Sequence, residues 1–259
     1  MSVLVLGCIY MVLAAGFVII YKSSRVLNFS YTDMAVMLAY LAFTIVGLIP
    51  GPPVVALLMV LLISFFLGLL IYWLFIKRMA GQPIFSIIIL TVAIGIVIQS
   101  INTLIWHGDT ETIPLGWRAY YTLPGKTVIS GTDIVIMLAT LVFFGGLLIF
   151  YKYSKTGWQM RATAENILLA AQRGINIYAV TALSWGIGIF ATALAAILLG
   201  SHSAVSPNMG HIAIRAFAVA LVGDWTALGV QSLPPSLLRQ RNWEPVHMST
   251  QGLPMPYPL

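Results

Sequence analysis

Charge is scarce in this chain. Of its 259 residues, 8% are Asp, Glu, Lys or Arg, about a third of the share in a soluble globular domain. That excludes a water-facing surface wrapped round one soluble core. Cysteine is nearly absent too. Cys8 alone permits no intrachain disulfide, and it lies in the first apolar run, where packing against lipid or helix is its expected role. The four histidines, His107, His202, His211 and His247, have no metal-ligand spacing with Cys or acidic neighbours. No Gly-rich phosphate loop, HExxH or GxSxG motif occurs. The sequence thus gives no basis for nucleotide binding, a metal, a cofactor or an enzyme active site. Ionisable groups are rare inside the apolar runs, which argues against a proton pump built on buried carboxylates. The net charge is +6, but the basic residues are not clustered as a nucleic-acid partner requires.

What is present is apolar length. Hydrophobic residues make up 60% of the chain and the mean hydropathy is +0.97. Runs long enough to cross a bilayer, roughly 20 residues each, cover 2–20, 34–49, 54–76, 84–105, 134–150 and 177–200, with a weaker one at 212–222. The second and the last are short enough to re-enter or pack inside a bundle. Gly51-Pro52-Pro53 separates the second from the third. The fold class that follows is all-α: a polytopic transmembrane helix bundle with about six or seven membrane segments, in contact with the lipid bilayer.

Orientation follows from the basic residues. No positive region precedes the first run, and Lys22 and Arg25 come after it, so it reads as a retained span with its N-terminus outside. Lys77 and Arg78 follow the third run; Lys152, Lys155, Arg161 and Arg173 follow the fifth. All three basic loops then fall on the cytoplasmic side, provided that 34–49 does cross. The loop from His107 to Asp133 lies outside and, with Trp106 just before it, carries Trp117, Tyr120 and Tyr121 as an aromatic belt.

The stretch 155–176 is the least lipid-like part of the chain. Met160, Ala164, Ile167, Leu168 and Ala171 fall on one helical face, Arg161 and Glu165 stand four apart on another, and Arg173-Gly174 is a stop signal. The spacing predicts a short amphipathic helix on the membrane surface. It either spaces two spans or docks a soluble partner. Asn28, beside the first run, reads as a helix cap or as part of a pathway. Gln99, deep in 84–105, needs a partner in hydrocarbon and is expected to face the bundle, either as a structural interhelix hydrogen bond or as a pathway residue. The small residues Gly186, Gly188, Ala191, Ala193, Ala195 and Ala196 suit the sixth run to close helix packing.

Gly157-Trp158-Gln159-Met160-Arg161-Ala162, the Glu165-Asn166 pair, Ala170-Ala171 and Gly174-Ile175-Asn176 resemble the cytoplasmic coupling loop of permeases of ABC importers for branched-chain amino acids. Gly7-Cys8-Ile9-Tyr10, Ala14-Ala15-Gly16, Ile20-Tyr21 and Leu27-Asn28-Phe29 resemble the first block of the same family, and Pro207, Gly210 and Ala216-Phe217 follow its later pattern. Where that family continues with a small residue, a polar residue and a glycine, this chain has Ser30-Tyr31-Thr32-Asp33, without the glycine. The resemblance implies a bacterial or archaeal cytoplasmic-membrane permease subunit paired with a second related permease subunit, two ATPase subunits and an extracytoplasmic substrate-binding protein. It implies that Gly157, Met160, Arg161, Ala162, Glu165, Ala171, Gly174, Ile175 and Asn176 form the ATPase-coupling loop. Asn28, Gln99 and Arg215 are the candidate pathway residues; Arg215 stands in an apolar segment where it needs a partner or water. Relatives also carry urea and short amides, so the family alone leaves the substrate open. The rival readings are a secondary transporter or channel that works without an ATPase, and a truncated remnant that transports nothing.

The resemblance covers residues 3–223. From Asp224 the chain becomes polar and proline-containing, with Pro234, Pro235, Pro245, Pro254, Pro256 and Pro258. Read one base earlier, the codons of Asp224-Trp225-Thr226-Ala227 permit Gly-Leu-Asp-Ser, a continuation of the family's kind. The expected organisation is a permease domain at 1–223, followed by an off-frame or disordered tail at 224–259.

Overall fold

The computed structural model describes residues 2–113, 120–122, 128–207 and 209–210. Eight α-helices carry the described part. They are α1 (Ser2–Ser24), α2 (Tyr31–Leu48), α3 (Pro53–Ile71), α4 (Ile84–Trp106), α5 (Gly131–Tyr153), α6 (Lys155–Glu165), α7 (Ile167–Gln172) and α8 (Ile177–His202). A π-helical turn (Tyr72–Ile76) and a 3-10 turn (Lys77–Met79) prolong α3. Six of these elements, α1, α2, α3 with its extension, α4, α5 and α8, are long and apolar enough to span a membrane. They agree with the six longer runs of the sequence. The weaker run at 212–222, Arg215, Trp117 and the segment 224–259 lie outside the described residues. A two-stranded antiparallel hairpin, β1 (Tyr120–Thr122) with β2 (Val128–Ser130), stands in the loop between α4 and α5.

Helix α8 is the axis of the bundle. Within the chain 78% of its span is buried, against 17% for α4 and for α5, and it packs on α1, α2, α3 and α5. Its small residues make this possible. Gly186, Gly188, Ala191, Ala193, Ala195 and Ala196 are all buried, and they let neighbouring backbones approach closely. The α1–α8 crossing is the tightest place. A Cβ added to Gly16 would lie 2.8 Å from Gly188 O and 2.9 Å from Ala191 Cβ, and one added to Gly188 would overlap the Ile20 side chain. Tyr31 closes the same crossing from α2, its hydroxyl donating to Leu13 O at 2.6 Å.

Opposite the end that carries α6 and α7, the segments after α4 and α8 are laced together. Glu111 and Val205 exchange backbone hydrogen bonds, with Glu111 N–H to Val205 O at 2.9 Å and Val205 N–H to Glu111 O at 2.6 Å. Trp106 stacks on Tyr40 at 5.3 Å, and its indole N–H donates to Thr44 Oγ1 at 2.9 Å. Trp106 is therefore a brace between α4 and α2 as well as a member of an aromatic belt. His202 Nδ1 lies 3.4 Å from Asp133 Oδ1, joining the end of α8 to the start of α5.

Candidate functional site

The stretch 155–176 forms two helices, not one. The single amphipathic helix expected from the spacing is interrupted at Asn166, which is extended (φ −152°, ψ 108°) and caps α7 by accepting the Leu169 N–H on its side chain. The interruption rotates the two halves, so the predicted face does not hold together. Met160 is buried, but Leu168 is 76% exposed and Ala171 also faces outward. The buried positions are Gly157, Met160 and Thr163 on α6, and Ala170 on α7. The expected Arg161–Glu165 ion pair does not form; the contact of this kind among the described residues is His202 with Asp133, an ion pair only with the imidazole protonated.

Each joint of this module has an identifiable cause. Between α5 and α6 the chain turns on the single extended residue Ser154. Gly157 sits so close to the end of α5 that a Cβ there would overlap Phe150 O and lie 2.8 Å from Tyr151 Cα. After α7, Gly174 N–H bonds Ala171 O at 3.0 Å and Ile175 N–H bonds Ala170 O at 3.2 Å. With Gly174 at φ +78°, this is a Schellman stop. Asn176 then caps α8, its side chain accepting the Ala179 N–H. Met160, Ala170, Ile175 and Val180 form a small separate core, packed on Phe150 and Tyr151 of α5 and on Leu183 and Ile187 of α8. The Arg25 guanidinium donates to Ala164 O at 2.7 Å, tying the α1–α2 connection to the last turn of α6. α6 and α7 are thus bolted to α5, α8 and the end of α1.

The residues predicted for coupling divide by position. Gly157, Met160 and Ile175 are buried and shape the module from within; Ala162 is half-buried; Gly174 and Asn176 set its joints. Arg161, Glu165 and Ala171 face outward. Beside them stand Trp158, 58% exposed, and Leu169, 58% exposed, neither of which the sequence pattern marked as outward. With Leu168 they give α6 and α7 exposed apolar side chains alongside exposed charged ones. Covering one such leucine is worth about 1.5–3 kcal/mol, so this surface gains by being occluded.

A second polar locality lies inside the bundle. Between α1 and α2 the chain is non-helical from Arg25 to Ser30, and this break runs inward along α4. Thr91 Oγ1 accepts the Phe29 N–H at 3.3 Å and lies 3.3 Å from Leu27 O. Thr91 is seven residues into α4, about 10 Å along it, so α2 starts well inside the bilayer. Irregular backbone at that depth is tolerated only where protein or a water-filled cavity satisfies it. Asn28 is 1% exposed; its Oδ1 accepts from Ser30 N–H at 3.1 Å and from Ser30 Oγ at 2.6 Å. Asn28 therefore stabilises the turn before α2, whereas Ser30 occupies the cap position itself. The Asn28 Nδ2 is buried without a hydrogen-bond partner among the described residues.

Above the break, Asp33, Val36 and Tyr40 of α2 and Gln99, Asn102 and Thr103 of α4 line a cavity of about 60 Å³, with Gly108 and Pro207 at its outer end. Gln99 does not point into the bundle as expected: it is exposed on this chain, at the cavity's edge. The inward polar residue of α4 is Asn102, three positions on and 7% exposed. Its side-chain N–H lies 3.5 Å from Asp33 O. Asp33, which the sequence pattern did not single out, places a carboxylate at this depth. Its Oδ2 lies 2.7 Å from the position of a Cβ on Gly95, so a side chain there would displace the carboxylate from where it stands.

The profile of the family described as the branched-chain amino acid transport system / permease component matches residues 1–232. The high-affinity branched-chain amino acid transport system permease protein BraD of Pseudomonas aeruginosa is 28% identical over 254 residues, covering 91% of this chain and 80% of that protein. The permease protein LivH of the corresponding high-affinity system in Escherichia coli K12 is 27% identical over 255 residues, covering 90% and 79%. A probable branched-chain amino acid transport permease protein LivH of Methanocaldococcus jannaschii is 28% identical over 222 residues, covering 82% and 69%. No solved structure matches.

Proposed function

The chain belongs to the family of permease components of the branched-chain amino acid transport system, and from that premise we propose that it carries branched-chain amino acids, or similar small polar solutes, across a bacterial or archaeal cytoplasmic membrane. It is a multi-pass membrane protein and the membrane-spanning permease subunit of an ABC importer; the ATP-hydrolysing parts are separate chains. In the proposed assembly it pairs with a second related permease subunit and two ATPase subunits, and receives substrate from an extracytoplasmic binding protein. The N-terminus of α1 lies outside, which puts the basic residues flanking α1, α3, α5 and α6 in the cytoplasm. The permease unit is residues 1–223.

One observation carries the reading: α6 and α7 expose Trp158, Leu168 and Leu169, while their inner faces are fixed to α5 and α8. A short surface helix that merely spaced two spans would have no need of such fixed joints. A docking element does, because closure of paired ATPases reaches the spans only through a part that moves as one body. Here that body ends in α8, the helix on which α1, α2 and α3 all pack. Arg161, Glu165 and Ala171 contact the ATPase in this reading, and Asn28, Gln99 and Arg215 belong to the pathway.

The test is uptake of radiolabelled leucine by proteoliposomes holding the complete importer, with the binding protein added outside. Uptake is expected only when ATP is enclosed with the ATPase subunits. Uptake at the same rate without them would show a stand-alone transporter or channel and overturn the reading.

A further inference from the structure

The geometry points to the Asp33–Asn102 cavity as a subsite for the ammonium group of the transported solute, an inference that rests on the transport reading above. The cavity is acceptor-rich. Asp33 contributes a carboxylate that has no ion-pair partner among the described residues. Asn102 lines the same space, is 7% exposed, and its Oδ1 is buried with no hydrogen-bond partner among the described residues. The Tyr40 hydroxyl gives its proton to Asp109 O at 2.8 Å, which leaves its oxygen as an acceptor towards the cavity it lines. An unpaired carboxylate beside an unsatisfied amide oxygen within the bilayer is costly unless a cation or a multiple N–H donor completes it. An ammonium does so with up to three N–H bonds.

Size and setting fit the same ligand. A volume of about 60 Å³ has room for a few water-sized groups, since a water needs about 10–15 Å³ of such space, and so for an ammonium head with the carbon that bears it. The rest of the solute leaves past Gln99 and Thr103, both exposed on this chain. These are polar residues on an otherwise apolar helix flank, so lipid is an unfavourable neighbour for them. The Gln99 amide N–H group is a donor at the edge of an acceptor-lined cavity, the polarity that a carboxylate next to the ammonium requires. Gly108 and Pro207 place the opening at the end of the bundle away from α6 and α7, where a solute handed over from outside would enter.

The experiment reads the cavity directly, in the complete importer in proteoliposomes. Cys8 is replaced by Ser, Thr103→Cys is the reporter, and the rate of maleimide labelling is followed with leucine, isopentylamine or isovalerate present. Leucine and isopentylamine are expected to slow labelling, and isovalerate, which lacks the ammonium, is not. Asp33→Asn is expected to weaken protection by isopentylamine about tenfold, the value of one hydrogen bond to a charged group. Asn102→Ala acts in the same direction and serves if Asp33→Asn does not assemble. Equal protection in the variants, or protection by isovalerate but not by isopentylamine, overturns the subsite; so does no protection at all, which would leave a cavity holding water only. Leucine uptake by the same vesicles keeps the two claims apart. Protection without ATP-driven uptake sinks the transport reading and spares the site; uptake without protection does the reverse.

Discussion

Replacing Gly188 by Leu is expected to destabilise the bundle strongly, with a lowered unfolding temperature and less monodisperse protein recovered from the membrane. The reason lies in the α1–α8 crossing. The first carbon added at Gly188 overlaps Ile20 and lies 2.9 Å from Gly16 O, a backbone atom that no rotamer change can move. Forcing two packed helices apart costs about 1–3 kcal/mol per overpacked site, and here the displaced helix is the one that touches α1, α2, α3 and α5. Gly16→Leu is expected to do the same, since its Cβ would lie 2.5 Å from the Tyr31 hydroxyl and 2.8 Å from Gly188 O. Because both changes open one crossing, the double variant should cost less than the sum of the two. Thermal unfolding of the detergent-solubilised protein measures all three. Wild-type stability in Gly188→Leu would mean that the crossing is not as close as described.

The second large effect is expected at Gly174 and differs in kind: the protein should fold, but stop transporting. No atom stands within 4 Å of a Cβ built there, so a side chain has room. What Gly174 supplies is its φ of +78°, which costs an ordinary residue about 1–2 kcal/mol and a β-branched one more. In Gly174→Val the Schellman stop opens, Ile175 leaves the small core around Met160, and the module is released from α8. Gly174→Asn should retain much of the function, since Asn tolerates the left-handed region. The six spans do not depend on this joint, so expression and membrane insertion should stay near wild type while ATP-driven uptake falls about tenfold or more, the factor that a 1.4 kcal/mol loss in coupling gives. Normal uptake in Gly174→Val would show that the joint between α7 and α8 transmits nothing.

These two glycines also show what was legible in the sequence. The spans were, because about 20 consecutive apolar residues leave little choice of structure in a bilayer. Their ends were less so: α1 continues to Ser24 and α5 to Tyr153, since backbone hydrogen bonding runs on past the point where side chains become polar. The small-residue face of α8 was legible from composition, but which helix meets it at Gly188 was not. In the surface stretch, the apolar positions before and after Asn166 happen to be in phase, which concealed the interruption although Asn166 is itself a capping residue. Gln99 and Asn102 are three apart on one helix. Which of them turns inward depends on how α4 is rotated against α2, and periodicity in a uniformly apolar run carries no such information. Asp33 escaped notice for a related reason: its place beside α4 follows from where α2 begins, and no local pattern announces that.

If the ATPase binds the outward surface of α6 and α7, its association with the permease depends on the exposed leucines there. The permease is co-expressed with its partner permease and ATPase subunits, and the amount of ATPase recovered on the purified membrane protein is measured for the wild type and for Leu168→Asp with Leu169→Asp. Both leucines are exposed on this chain, 76% and 58%, so the changes leave its own core untouched. Stoichiometric ATPase is expected on the wild type and little on the variant, with the two permease subunits still together. Equal recovery of ATPase on both would place the docking surface elsewhere and contradict the account.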